Sequence, residues 1–108
     1  MSLTVNLYYT GKNGSAQAFV REMEESGIAD RIRKEAGNLK YDYFQSLADQ
    51  ETILLIDSWA NQEALDAHHA SSMMQDLARL REKYDLHMRV ERYTDAKDHE
   101  SDDQFIRK

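Results

Sequence analysis

The imidazole of His68 is the candidate base of this sequence for proton transfer near neutrality, since an unperturbed histidine titrates at a pKa of about 6.5. A base of this kind can take a phenolic or enolic proton, and an amide beside it can hold the oxyanion that results. Asn6 and Asn38 offer such amides. Trp59 and the run Tyr41, Tyr43, Phe44 could wall a pocket for a planar aromatic ligand, and Arg89 and Arg92 could meet an anionic one. Each of these groups has a structural alternative. His68 can pack or face solvent, an Asn after a Gly commonly serves turn geometry, aromatic residues in strands are packing residues, and arginines on a strand form surface ion pairs.

Metal chemistry finds less support. The chain contains no cysteine, which removes thiolate nucleophiles and cysteine-held zinc or iron–sulfur sites. Neighbours on a helix project about 100° apart, so His68 and His69 do not readily share one ion. Asp66 and His69 have an i, i+3 spacing, but two ligands do not complete a site, and His87 and His99 stand without companions.

The elements that must position these groups read in the order β-α-β-β-α-β. Leu3, Val5, Leu7 and Tyr9 alternate with Thr4, Asn6, Tyr8 and Thr10, the period of a strand with one apolar and one more polar face. After Gly11-Lys12-Asn13-Gly14, Ser15 is expected to cap a helix bearing Phe19, Val20 and Met23; beyond Gly27, the residues Ile28, Ile32 and Ala36 resume helical spacing up to Gly37. A second strand is expected over 39–47, with Leu39, Tyr41, Tyr43 and Leu47 on one side. The third, over 52–59, carries Ile53, Leu54, Leu55 and Ile56 in succession. A strand apolar on both faces must be covered on both, and one layer of helices covers one face only, so a second copy of the chain is the economical cover. Asn61 is placed to cap the next helix, where Leu65, His69, Met73, Leu77, Leu80 and Tyr84 follow at helical spacing, as one long helix or two with a break near Ser71-Ser72. Leu86, Met88 and Val90 then alternate into a fourth strand ending near Tyr93 or Thr94. This order predicts an α+β, ferredoxin-like domain over 1–94, a four-stranded antiparallel sheet with helices on one face. Residues 95–108 are polar and mostly acidic and read as a tail.

Bulk composition narrows the partners. With 108 residues, 41% hydrophobic and 31% charged, the chain is one globular domain rather than a disordered one. Its 14 Lys and Arg are outnumbered by and interleaved with 20 Asp and Glu, for a net charge of -6. Nucleic acid and acidic membranes, which need a basic stripe, are therefore not expected partners. No apolar run approaches the length of a membrane span and no signal sequence opens the chain, so a cytoplasmic location is the expectation.

Three stretches resemble the antibiotic biosynthesis monooxygenase superfamily: Glu35-Ala36-Gly37-Asn38-Leu39-Lys40-Tyr41-Asp42, a strand ending Ile56-Asp57-Ser58-Trp59, and a helix with His68 three residues before Ser71. The resemblance runs through nearly the whole chain up to Thr94. It implies a dimeric α/β barrel and quinol-monooxygenase-like chemistry without metal or flavin, on a quinol-like or polyketide-like aromatic with O2. Triplet oxygen accepts electrons one at a time, and an ionised hydroquinone or anthrone is electron-rich enough to supply them, so the protein needs a base, an oxyanion partner and a dry pocket. The resemblance assigns these to His68 as base and Asn6 as oxyanion partner, with Trp59, Asn38, Tyr41, Tyr43 and Phe44 at the substrate; a cavity bounded by His68, Asn6 and Trp59 is the expected site. Haem is not expected, because the helix position that carries the Trp of the superfamily's haem degraders falls near His68 and no His stands near Ala78. Met73 stands where many members carry a second His. Two alternatives stay open: an isomerase of a small phosphorylated keto-sugar-like signal, suggested by the Glu35–Asp42 segment, and a non-catalytic ligand-binding dimer, suggested by Met73.

Overall fold

Strand parity organises the molecule. A computed structural model describes residues 1–108, with strands β1 (Leu3–Thr10), β2 (Asn38–Gln45), β3 (Thr52–Trp59) and β4 (His87–Thr94) and helices α1 (Ser15–Glu25), α2 (Ile28–Arg33), α3 (Gln62–His69) and α4 (Met73–Lys83). The sheet order is β2-β3-β1-β4 and every neighbouring pair is antiparallel, the ferredoxin-like arrangement anticipated above. The sheet is open, with β2 and β4 as its edges. The helix over 62–84 is two helices, broken where Ser71 and Ser72 separate α3 from α4.

Successive strand residues point to opposite faces, and the pairing registers extend that alternation across all four strands. Val5, Leu7 and Tyr9 of β1 lie beside Asp57, Leu55 and Ile53 of β3 and beside Arg92, Val90 and Met88 of β4. Tyr41 and Tyr43 of β2 continue the same face. The helices cover it, burying Phe19, Met23, Ile28, Ile32, Leu65, Leu77 and Leu80 against Val5, Leu7, Tyr9, Tyr41, Leu55 and Trp59. Tyr9 and Phe19 meet with ring centroids 5.1 Å apart, and Phe19 meets Tyr43 edge-on at 6.5 Å. The opposite face presents Thr4, Asn6, Tyr8, Leu54, Ile56, Phe44, Arg89 and Tyr93 by the same registers. Nothing in the chain covers it, and Phe44 and Tyr93 are 44% and 50% exposed.

Several local expectations are corrected. Ser15 does not cap α1: the cap is Gly14 at φ 79°, and the Ser15 hydroxyl accepts the Lys12 N–H at 2.9 Å instead. Leu39 and Leu47 do not share a face with Tyr41. A register shift between Asn38 and Lys40 takes Leu39 out of the alternation, and Leu47 lies in the loop after β2, fully exposed. Within the tail, Glu100–Phe105 forms an exposed 3-10 helix, and Phe105 remains 82% exposed. No helix is long and apolar enough to cross a membrane.

Candidate active site

Gly37 sets the position of the first catalytic candidate. Its φ of +83° favours glycine, and an added Cβ would lie 2.5 Å from the Ala64 Cβ. This close approach, with Ala60 N–H donating to the Gly37 carbonyl at 2.8 Å, draws the segment before β2 against α3. Asn61 caps that helix, accepting the Ala64 N–H at 2.8 Å as its position predicts. His68 lies three residues beyond the buried Leu65, on the same inward side of α3, and is 3% exposed.

The imidazole is held on two sides. It stacks on Trp59 with centroids 4.7 Å apart and planes 25° apart, and its Nδ1 lies 2.8 Å from Glu35 Oε1. An ionised carboxylate can only accept, so Nδ1 carries the hydrogen and the neutral ring keeps its lone pair on Nε2. His68 borders a cavity of about 200 Å³ between the sheet and helices α3 and α4, open to solvent on the β4 side where Met88, Val90 and Arg92 are exposed. The apolar part of that cavity comes from Val5, Leu7, Leu55, Met74 and Leu77; its polar end is His68, His69, Asp57, Arg81 and Arg92.

Asp57 is the second titratable group of this end. It is 6% exposed and accepts the Trp59 Nε1–H at 2.7 Å. Burial pushes its carboxyl up to about 6, while His68 and the Trp59 hydrogen bond pull the other way. Burial likewise lowers the His69 pKa, and His68 lowers it further. Arg81 donates to the Tyr9 hydroxyl at 3.0 Å, and burial raises that phenol's pKa. No group of three or more His, Asp or Glu side chains is placed to hold a metal ion.

The structure gathers only part of the expected site. His68 and Tyr41 line the cavity, and Trp59 stands behind His68, fully buried. Asn6 is a correction: it pairs with Ile56 and Glu91 on the uncovered face, whereas its neighbours Val5 and Leu7 point into the cavity, so the sheet separates Asn6 from His68. The expected cavity between His68, Asn6 and Trp59 is therefore not formed. Tyr43 packs against Phe19 and Tyr41, away from the cavity, and Phe44 is on the opposite face, so the three aromatic residues make no single surface. Asn38, the first residue of β2, spans the bulge, its Nδ2 donating to the carbonyls of Lys40 and Ser58 at 3.4 Å. Arg89 pairs with Glu91 at 3.3 Å on the uncovered face, but Arg92 has no such partner and lines the cavity.

Glu35, Asp57 and Arg81 are the site residues that the sequence reading passes over. Asp57 was recoverable from parity, as a carboxylate at an inward position between Leu55 and Trp59. Arg81 follows Leu77 by one helical turn, on the inward side of α4. No spacing rule joins Glu35 to His68, 33 residues on.

A family model described as antibiotic biosynthesis monooxygenase matches residues 2–80. The chain belongs to this family. No curated protein matches it in sequence. Among solved structures it is similar to PA3566 from Pseudomonas aeruginosa, at 26% identity and a TM-score of 0.75 over 89% of this chain and 95% of that one. It is similar also to Rv0793 from Mycobacterium tuberculosis, at 18% identity and a TM-score of 0.74 over 91% and 98%. SnoaB, a cofactor-independent oxygenase from Streptomyces nogalater, shares the fold at 11% identity and a TM-score of 0.73 over 90% and 95%. In this antibiotic biosynthesis monooxygenase domain, an oriented imidazole and a buried carboxylate meet at the end of a small, largely apolar cavity. That arrangement can remove a proton from a ring hydroxyl.

Proposed function

We propose that this chain is a cofactor-independent monooxygenase of a small, quinol-like aromatic, with His68 as general base. The observation that carries the reading is the Glu35–His68 hydrogen bond at the edge of the cavity, which leaves Nε2 as the acceptor of a substrate proton. The ionised hydroquinone then gives up electrons to O2 one at a time. One oxygen atom enters the ring and the other leaves as water, the substrate supplying the electrons and ending as a hydroxyquinone. Cavity size supports the smaller aromatic class: an apolar cavity of about 150 Å³ takes one benzene ring, and about 200 Å³ is on the scale of a substituted single ring.

The reading includes a homodimer built through the uncovered face. Asn6 Oδ1 is buried there without a hydrogen-bond partner, and Leu54 and Ile56 flank it in the register, so a second copy would supply both apolar cover and a donor. Sedimentation equilibrium should find a dimer at micromolar concentration; a stable folded monomer would exclude it.

The test of the activity is oxygen uptake by chelator-treated protein with a panel of single-ring hydroquinones, followed by mass analysis of products made under labelled O2. Protein-dependent uptake with one labelled atom in the product supports the reading, and uptake at the buffer rate for every ring contradicts it. Arg81 and Arg92 in the cavity also favour a second reading, isomerisation of a phosphorylated ligand through an enediol. Turnover that proceeds equally well without oxygen would select it.

A further inference from the structure

Arg81 and Arg92 have no task in the proton transfer proposed above, yet both line the cavity beside His68. Their contacts differ from those of the three arginines that form ion pairs in this molecule. Arg33, Arg79 and Arg89 each pair with a carboxylate at the surface. Arg81 instead donates to the neutral Tyr9 hydroxyl at 3.0 Å and Arg92 to the Gln62 amide oxygen at 3.2 Å. The Arg81 Nε is buried and has no acceptor, an unfavourable state for a cationic N–H until an acceptor arrives. Asp57 is the one carboxylate lining this cavity, and the other carboxylate nearby, Glu35, is engaged by His68. Both arginines act on His69, adding to the burial and the His68 effect that hold its pKa down. Both also lie beyond residues 2–80, the stretch that the family model matches.

We infer that the cavity selects a single-ring substrate bearing a carboxylate, which Arg81 and Arg92 grip while the ring hydroxyl meets His68. The inference rests on the oxygenase reading for the role of the hydroxyl. A guanidinium presents a planar fork of N–H donors that matches a carboxylate, and the unpaired Arg81 Nε adds a donor that such a group would satisfy. The size of the cavity, about 200 Å³, admits one ring with such a substituent.

Isothermal titration without oxygen tests the clamp apart from any turnover. The probes are 3-hydroxybenzoate, its neutral isostere 3-hydroxybenzamide, and phenyl phosphate. Wild-type protein should bind the benzoate about tenfold or more tighter than the benzamide, the scale of one charge-assisted hydrogen bond. Arg92→Gln, at an exposed position of β4 that does not support the core, should erase most of this preference, weakening the benzoate far more than the benzamide. Arg81→Lys keeps the charge but loses the fork, and should weaken the benzoate selectively. Equal affinities in the wild type, no binding of either ring at millimolar concentration, or variants that weaken both ligands alike would overturn the clamp. Tighter binding of phenyl phosphate than of the benzoate would overturn the carboxylate assignment. If the benzoate binds as described and no hydroquinone consumes oxygen, the oxygenase reading falls and the clamp stands; oxygen uptake restricted to neutral rings would have the opposite meaning.

Discussion

The two faces of one sheet differ in kind. On the helix-covered face, Ile53, Leu55, Asp57 and Trp59 of β3 are all buried, and the polar members of the set are hydrogen-bonded into a site. On the other face, Leu54 and Ile56 of the same strand are only partly buried, Phe44 is 44% exposed, and Asn6 Oδ1 has no partner. A polar group buried within one chain must find its partner in that chain or pull solvent in. The covered face meets this demand for His68 and Asp57 through Glu35 and Trp59, while the Arg81 Nε and the Tyr43 hydroxyl stay unpaired there. On the uncovered face Thr4 and Ser58 satisfy each other at 2.8 Å, and the unpaired Asn6 Oδ1 lies in register with Ile56.

Adjacent leucines of β3 allow the sharpest test of the difference. Leu55→Ala should destabilise the fold by about 2–5 kcal/mol, the usual cost of emptying a core leucine site, as measured by urea denaturation. Leu54→Asp, one residue away on the uncovered face, should mainly shift sedimentation equilibrium toward monomer. A variant that unfolds as far as Leu55→Ala while leaving association untouched would break the comparison.

Asp57 ties the covered face to pH. Its folded carboxyl, raised to about 6 from an ordinary 3.8, holds its proton to higher pH than in the unfolded chain. Between about pH 4 and 6 the fold therefore binds more protons than the unfolded state, and this group's contribution falls as pH rises through that window. Ionised Asp57 then costs the fold on the order of 3 kcal/mol above pH 6. Asp57→Asn keeps an oxygen to accept the Trp59 indole N–H and removes the charge. Relative to wild type it should gain stability between pH 4.5 and 7.5, and urea denaturation at the two pH values that gives the same difference would contradict the assignment.

A smaller effect should follow from Glu35→Gln. An amide can present either oxygen or nitrogen to Nδ1, so the tautomer with its lone pair on Nε2 is no longer enforced. The turnover rate should fall roughly ten- to a hundredfold, the scale on which partners of an oriented imidazole act, with KM little changed. A rise in KM at constant kcat would assign Glu35 to substrate binding instead.

The fold was legible because alternation and helical spacing are local. Val5, Leu7 and Tyr9 announce their strand, Asn61 caps its helix as its side chain predicts, and Ser71-Ser72 marks a real break. The site was legible only in part. His68 and Trp59 come together as their family-like stretches suggest, but which face of a strand meets the helices is settled by packing across the whole sheet, and that put Asn6 behind the sheet. The same parity, applied strictly to Tyr41, Tyr43 and Phe44, divides them by position alone, two odd-numbered residues on one face and an even-numbered one on the other. Leu39 was misleading for a different reason: the bulge at Asn38 and Lys40 breaks the alternation and has no short sequence signal. Glu35 was hidden because its contact with His68 depends on the close packing of Gly37 against Ala64, a tertiary event.

The central claim, that the chemistry belongs to the covered face and turns on His68, is tested most directly by measuring kcat/KM for oxygen uptake in His68→Ala and Asn6→Ala side by side. The account predicts a loss of about a hundredfold or more for His68→Ala, as for removal of a general base, and a change within about twofold for Asn6→Ala, as for a residue outside the reacting site. Comparable losses in both, or the larger loss in Asn6→Ala, would contradict it and move the site to the other side of the sheet.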